Sequence, residues 1–494
     1  MTDCIHHLVQ EQARRRPEAA AVEHAGTSLS YGELEHRAEA LAGRLARAGV
    51  GPETRVGIFA ERSPELFIGI LAVLKAGGAY LSLDPAYPQE RLLRIWEDLK
   101  APVLLATQRT ADRLPLKTTK LVRLDRETEA IHSPRSGQEP GSGNLAYAIF
   151  TSGSTGRPKG ILLEHRGLCN LIRWTNGLLG LGPGDRLLQF AALSFDVSVW
   201  ETFMALASGA TLVLPEAEDR FLAPALHKML REKDVSVALL PPSLMALMPS
   251  EELPKLRAVI SVGERLPTEV VRRWARGRRL INGYGPAEAT ITVSAFETSA
   301  KGRYPLLGPP IGKPIPNTQL HVLGPNLEPV PAGESGEIFV GGVGVARGYL
   351  DRPELDREKF MPDPFSDEPG ARLLRTGDLA RRLPGGNLEF LGRADDQVKI
   401  HGVRIELGEV EAVLRRHPQV RDAVVILRQE KGRSRLIAFV DSGSLADIAP
   451  AGLRRHALEM LPRPMVPHDF LVLKELPRTP NGKLDRKNLE ARYG

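Results

Sequence analysis

The sequence predicts an α/β protein in which a large N-terminal region of mostly parallel sheet is followed by a smaller α+β C-terminal domain. Three observations carry this. From residue 30 to about residue 300 helical and strand patterns alternate, and helices set between strands build a parallel sheet covered on both faces. Beyond that point short strands punctuated by Gly and Pro take over, the mark of a small β-rich subdomain. After Gly392 a further alternation is long enough to form a compact body of its own.

The elements follow in order. Residues 34–48 place Leu34, Ala38, Leu41, Leu45 and Ala48 at helical spacing, and Gly49 stands where a left-handed cap is expected. Residues 55–60 read as a strand, 64–76 as a helix stopped by Gly77-Gly78, and 79–83 as the next strand. The stretch 131–144 reads as a loop leading into the apolar run 145–150. The rhythm returns in a helix at 222–233, strands at 235–240 and 257–262, a helix at 268–276 and a strand at 280–282. Short strands are expected at 319–323, 336–341 and 387–391. In the last region 407–416 and 451–461 are helical, and 422–427 and 435–440 are strands. Gly392-Arg393-Ala394-Asp395-Asp396 reads as a charged linker, which divides the chain into 1–394 and 395–494.

With 494 residues and 42% hydrophobic content the chain can bury its core without covalent staples. Its two cysteines, Cys4 and Cys169, offer neither a disulfide framework nor a ligand cluster, as expected of a reducing compartment. The first 16 residues have no apolar signal core, and no uninterrupted apolar run approaches 18 residues, so a cytoplasmic protein without membrane contact is expected. The formal net charge of +6 is spread among interspersed signs, which gives no indication of nucleic-acid binding. It suits an anionic small substrate or an acidic protein partner, and equally an ordinary arginine-rich surface.

Residues 150–160 read Phe-Thr-Ser-Gly-Ser-Thr-Gly-Arg-Pro-Lys-Gly. The glycines let the backbone approach an anion, Thr151, Ser152, Ser154 and Thr155 offer hydroxyls, and Lys159 brings a positive charge. The spacing differs from the common nucleoside-triphosphate loop, because no Ser or Thr follows the lysine. Taken alone, the run is also the composition of a Gly/Ser surface turn.

In context the run resembles the phosphate loop of the adenylate-forming superfamily, which includes acyl-CoA synthetases, luciferases and the amino-acid-activating domains of nonribosomal peptide synthetases. Further signatures of the synthetase branch follow in the family's order: Leu29-Ser30-Tyr31-Gly32-Glu33-Leu34, Leu74-Lys75-Ala76-Gly77-Gly78-Ala79-Tyr80, Phe195-Asp196-Val197-Ser198, Asn282-Gly283-Tyr284-Gly285-Pro286-Ala287-Glu288 and Ala346-Arg347-Gly348-Tyr349-Leu350. The series closes with Thr376-Gly377-Asp378-Leu379, Glu406-Leu407-Gly408-Glu409 and Asn481-Gly482-Lys483-Leu484. One such motif would be weak; the ordered series across nearly the whole chain is specific. The resemblance implies a large N-terminal domain of two helix-covered sheets with a small β-barrel subdomain, and a mobile C-terminal lid carrying Lys483.

The resemblance also implies roles. Thr151, Ser152, Gly153, Ser154, Thr155, Gly156 and Lys159 would hold the phosphates of ATP. Asn282, Gly283 and Tyr284 would face adenine, and Asp378 and Arg393 the ribose or phosphate. Glu288 would hold Mg²⁺, which takes oxygen ligands and accompanies phosphate. Lys483 would bridge the substrate carboxylate and the α-phosphate. Asp196 would pair with a substrate α-ammonium group, since a carboxylate in the apolar stretch around Phe195 and Val197 is costly without a partner. Val197, Trp200, Leu239, Ile260, Val262, Gly283, Ile291 and Thr292 would line the side-chain pocket. None is charged, so the expected substrate is a small to medium, neutral, mainly apolar α-amino acid.

Asp395 would be the hinge, and Lys399 and Gly402 would serve transfer to the phosphopantetheine thiol of a separate peptidyl or acyl carrier protein. The resemblance leaves room for an MbtH-like helper as a further partner without requiring one. The sequence departs from the family pattern at Ala287, where a threonine is usual, at His401 and at Ser82. The chain reads as a free-standing adenylation protein or an excised domain of a larger synthetase. A ligase using free CoA and, because of Ala287, a catalytically impaired binding protein stand as alternatives.

Overall fold

The computed structural model describes residues 3–113, 120–126, 139–153, 157–215, 223–395, 397–400, 402–430, 433–443, 448–473, 475–477, 484 and 486–493. They divide into two compact units. The first comprises Met1–Pro85, Asp98–Ile149 and Gly160–Ala394; the second comprises Ala86–Glu97, Phe150–Lys159 and Asp395–Gly494.

Among the described residues the first unit is built on three sheets. One runs Lys313–Pro314, Ser294–Thr298, Arg279–Tyr284, Ala258–Ser261, Val237–Leu240, Arg186–Leu188, Thr211–Val213, Ala20–His24, Thr27–Ser30. Its middle is parallel, and antiparallel strands sit at its edges. The second runs Gly348–Tyr349, Lys159–Glu164, Leu145–Thr151, Ala79–Leu83, Arg55–Phe59, Val103–Ala106, Lys120–Arg123, again parallel through its centre. The middle strands are apolar at almost every position, as strands covered on both faces must be. The β-rich region after residue 300 is a five-stranded antiparallel sheet in which Arg372–Arg382 pairs with three neighbours. Its pairing is an open path, so the expected barrel has no hydrogen-bonded closure among the described residues.

Helix boundaries follow local chemistry. The expected helix at 34–48 begins three residues earlier, as Tyr31–Arg47, because Ser30 caps it. The Glu33 N–H donates to Ser30 Oγ at 3.2 Å and the Ser30 N–H to Glu33 Oε2 at 2.9 Å, a reciprocal capping box. Pro64–Lys75 starts with proline at its first position, where no N–H is needed, and is buried along most of its length. Its terminal Lys75 is enclosed, with Nζ 2.6 Å from Glu35 and 3.0 Å from Glu39. One large apolar cluster joins the faces of the first two sheets, and another lies around Trp274 beneath the helices Ala223–Glu232 and Thr268–Trp274.

In the second unit the hairpin Gln397–Ile400/Val403–Glu406 leads into the helix Leu407–Leu414. A three-stranded sheet then pairs Asp422–Glu430 antiparallel with Arg433–Asp441, and the latter parallel with Asp469–Leu473. Alternate residues go to opposite faces: Ala423 and Val425 join the cluster of Leu407, Val410 and Leu453, whereas Val424 and Ile426 pack with Leu476 and Leu489. The expected linker is partly strand. Leu388–Arg393 carries Gly392 and Arg393 into the five-stranded sheet, where Arg393 sits opposite Asp378.

Candidate active site

In the first unit the expected nucleotide-side residues gather where the strand Arg279–Tyr284 ends, the usual place for ligands in an α/β sheet. The buried Tyr284 hydroxyl donates to Asp378 Oδ2 at 2.6 Å, and Arg393 Nη1 donates to Asp378 Oδ1 at 2.5 Å. Asp378 and Arg393 face each other across adjacent strands, so the sheet register itself forms the pair. Thr376 fixes the backbone at Asp378: its Oγ1 donates to the Ile338 carbonyl at 2.7 Å and accepts the Asp378 backbone N–H at 3.0 Å. Burial, then the Asp378 charge, pushes the Tyr284 phenol well above its ordinary pKa, so it stays a neutral donor. Each carboxylate oxygen has two lone pairs, which leaves Asp378 acceptor capacity for ribose hydroxyls. Asn282 is more committed than its sequence reading implies, since its Nδ2 donates to the Pro310 carbonyl at 2.8 Å and, more weakly, to Pro309 at 3.4 Å. Its amide nitrogen pins that loop.

Glu288 lies on the 3₁₀ turn Ala287–Ala289 and is only 2% exposed. Its Oε1 accepts the Tyr349 hydroxyl at 2.8 Å, and its carbonyl accepts the Ala346 N–H at 2.9 Å. A buried carboxylate on a rigid turn fits Mg²⁺, which wants one or two protein oxygens and fills its sphere with water and phosphate. The methyl of Ala287, where a hydroxyl is usual, packs against the apolar core.

Asp196 opens the helix Asp196–Leu206. The sequence reading treats it as a buried carboxylate in an apolar stretch. In the structure it is half-buried in a helical first turn, where the helix dipole favours negative charge. Its field reaches the Tyr147 phenol, which burial first, and then Asp196, pushes well above the ordinary range. Trp200, Leu239, Ile260, Val262 and Ile291 fall in one apolar cluster with Val197 packed against it. Trp200 is locked there by its indole N–H, which donates to Thr175 Oγ1 at 3.0 Å. A side chain on Gly283 would meet Val262 Cγ1 at 3.0 Å and Ile260 Cγ2 and Thr292 Oγ1 at 3.6 Å, so four expected pocket residues are neighbours.

The described hydroxyl-loop residues belong to the second unit. A Cβ on Gly153 would lie 2.1 Å from the Arg157 carbonyl oxygen, so only glycine fits at that position. Ser152 Oγ donates to the Arg404 carbonyl at 3.0 Å and accepts the Glu406 N–H at 3.2 Å. The Gly153 N–H donates to Glu409 Oε2 at 3.1 Å, and the other oxygen of that buried carboxylate accepts Arg91 Nη1 at 2.6 Å. Thr151 Oγ1 is buried without a hydrogen-bond partner, a hydroxyl that an anion would satisfy, and Lys159 is buried. Asp395 Oδ1 accepts the Gln397 N–H at 3.3 Å. Lys399 pairs across the hairpin with Arg404, and Gly402, at φ +78°, lies just before the returning strand. Ser154, Thr155, Gly156, His401 and Lys483 lie outside the described residues.

Sequence reasoning missed Tyr349, Thr376 and the Arg91–Glu409 pair. Tyr349 stands in a quoted motif, but nothing in the sequence joins it to Glu288. The reading that the cysteines belong to no ligand cluster is corrected: Cys4, His6 and His165 are all buried, with ligand atoms within 4.8 Å of one another. Their hydrogen bonds favour the metal-free state. The Ile5 N–H donates to His165 Nδ1 at 3.2 Å, which leaves the proton on Nε2, and the Cys4 thiol donates to the Pro140 carbonyl at 3.2 Å. A cleft of about 650 Å³ lined by His6, Glu35, His36 and Lys75 shares no residue with the candidate site.

Residues 9–350 match the family model described as AMP-binding enzyme, and 409–483 match the AMP-binding enzyme C-terminal domain. The chain is 43% identical to bacitracin synthase 3 of Bacillus licheniformis over 99% of its own length and 8% of that protein. It is 41% identical to tyrocidine synthase 1 of Brevibacillus parabrevis over 98% of its length and 44% of that protein. It thus spans less than half the length of either relative. Among solved structures it resembles NpsA-ThdA, an artificially fused adenylation-PCP di-domain NRPS from Klebsiella oxytoca, with a TM-score of 0.84 and 27% identity over 95% of this chain and 94% of that one. The chain belongs to the AMP-binding enzyme family, in the branch of nonribosomal peptide synthetase adenylation domains.

Proposed function

We propose that this protein activates a neutral α-amino acid with ATP as aminoacyl-AMP and then passes the aminoacyl group to the phosphopantetheine thiol of a carrier protein. The observation that carries the reading is the buried Asp378 carboxylate held between Tyr284 and Arg393, in a chain of this family. A polar group so precisely oriented suits a ligand rich in hydroxyls, and ribose is one.

In the first half-reaction a carboxylate oxygen of the amino acid attacks the α-phosphorus of ATP. The bond from that phosphorus to the bridging oxygen breaks, and pyrophosphate leaves. Asp196 meets the α-ammonium group, the apolar cluster around Trp200 and Leu239 takes the side chain, and Asp378 and Arg393 fix the ribose. The hydroxyl loop with Lys159 holds the departing phosphates, and Lys483 holds the two reacting anions together. Mg²⁺ on Glu288 would neutralise phosphate charge. Positioning and charge stabilisation supply the rate, and no protein nucleophile is needed.

In the second half-reaction a thiolate attacks the carbonyl of the mixed anhydride and AMP leaves. The segment from residue 395 onward would act as a mobile lid pivoting at Asp395, with Lys399 and Gly402 serving this step. Amino-acid-dependent exchange of labelled pyrophosphate into ATP tests the first half-reaction. Comparing a pantetheinylated carrier protein with free CoA as acceptor tests the second; faster loading of CoA would overturn the choice of acceptor.

A further inference from the structure

The helix Asp196–Leu206 hides an acid that its surroundings do not require. Every residue from Ser198 to Leu206 is buried, and Glu201 stands at 0% exposure beside Trp200 in that run. An apolar side chain would fill such a place at lower cost, since a buried carboxyl forfeits its hydration. The carboxyl reaches back to the loop 189–195, which leaves the strand Arg186–Leu188 and enters the helix at Asp196. Glu201 Oε2 accepts the Ala191 N–H at 3.0 Å and Gln189 Nε2 at 3.0 Å, and Oε1 lies 3.2 Å from the same Ala191 nitrogen.

Further bonds hold the same loop. Gln189 Nε2 also donates to the Ala191 carbonyl at 2.8 Å, and the guanidinium of Arg62, just beyond the strand Arg55–Phe59, donates to Gln189 Oε1 and to that carbonyl. The Gln189 N–H donates to the Val213 carbonyl at 2.9 Å, which fixes the point where the loop leaves the sheet. At the other end the Phe195 N–H donates to the Ala192 carbonyl at 2.9 Å, and the Phe195 carbonyl accepts the Ser198 N–H at 3.0 Å and Ser198 Oγ at 2.7 Å. Burial, against the pull of the neighbouring N–H donors and Arg62, pushes the Glu201 carboxyl up to about 8. Near pH 7 it is mostly a neutral acid, and a glutamine is its nearest mimic.

We infer that Glu201 is a positioning residue, which through Gln189 and the Ala191 backbone fixes the loop that sets Asp196 against the α-ammonium group of the substrate. This rests on the proposed amino-acid activation, in which Asp196 meets that group. Helix and loop secure each other, because Glu201 and Asp196 belong to the same helix and the loop between the sheet and Asp196 is bonded to Glu201. A displacement of about 1 Å at such a contact can cost about 100-fold in rate.

The test is pyrophosphate exchange with the full chain, read as separate kcat and KM values for amino acid and ATP. Glu201→Leu, which suits the apolar surroundings but accepts no hydrogen bond, should lower kcat/KM for the amino acid by roughly 10- to 100-fold, chiefly through KM, and leave KM for ATP unchanged. Glu201→Gln, which keeps an acceptor oxygen in the same place, should stay near the parent. Arg62→Met loosens the same loop from a half-buried position and should show the same split, which decides the matter if Glu201→Leu does not fold. An amino-acid KM indifferent to Glu201→Leu, equal loss of amino-acid and ATP use, or Glu201→Gln as impaired as Glu201→Leu overturns the inference while leaving amino-acid activation intact. Exchange supported by no amino acid in the parent chain overturns both.

Discussion

Asp378 illustrates how much of this site is held by single atoms. Each carboxylate oxygen accepts one charge-assisted or buried hydrogen bond, from Arg393 or Tyr284. Asp378→Asn keeps the shape but removes the charge, so the apparent KM for ATP should rise by about 10-fold or more, read from exchange kinetics at saturating amino acid. Two other buried groups set an opposed pH dependence. Burial, aided by His7, pushes the His165 imidazole down to about 4, so the unfolded chain takes the proton first and stability falls as pH drops from about 6.5 toward 4. Burial pushes Glu201 up to about 8, so its contribution falls in the other direction, as pH rises from about 4.5 through 8. The two nearly offset each other between pH 5 and 7, and only variants separate them. Chemical denaturation should show His165→Gln gaining about 2 kcal/mol relative to the parent on going from pH 7 to pH 5. A difference independent of pH would contradict a neutral buried His165.

At the scale of elements, the Tyr31–Arg47 helix and the turn after Tyr284 make contrasting predictions. Ser30→Ala removes a cap on an element remote from the chemistry, so it should cost about 1 kcal/mol in denaturation and leave exchange kinetics unchanged. Gly285→Ala drives a methyl into the Ile291 carbonyl, so it should weaken amino-acid use more than ATP use, read as separate KM values in the exchange assay. Equal loss of both would contradict the pocket role proposed for Ile291 and Thr292. These elements also show what sequence could and could not reveal. The helix was legible because its apolar spacing is local, and its true start lay in the Ser30–Glu33 pair, three residues apart. The strands of the parallel centre were legible as short apolar runs between helices. The motif order named Glu288, Asp378 and Arg393, but the hydrogen bonds that orient them reach across 61, 94 and 15 residues. No spacing rule reports such pairings. The head position of Asp196 in its helix escaped because Phe195, not a usual capping residue, precedes it. The left-handed backbone of Thr290 and Ile291, at φ +60° and +72°, has no signature, since β-branched residues are the ones least expected at positive φ.

For the molecule as a whole, the central claim is that one chain of this family couples an amino-acid pocket to ATP chemistry. Two substitutions separate the parts. Lys483→Ala should reduce pyrophosphate exchange by about 100-fold or more while sparing thioester formation from preformed aminoacyl-AMP, because the proposed role gives its charge to the first half-reaction only. Loss of both half-reactions together would assign the lysine elsewhere. Asp196→Ala should weaken amino-acid use far more than ATP use, because the proposed role pairs the carboxylate with the α-ammonium group and with nothing on the nucleotide. The most direct measurement is exchange of labelled pyrophosphate into ATP with the full chain, run across amino acids, aryl acids and fatty acids, with Asp196→Ala alongside. The expected result is exchange supported by a neutral α-amino acid and largely lost in the variant; exchange supported only by an aryl or fatty acid, indifferent to Asp196, would contradict amino-acid activation by this chain.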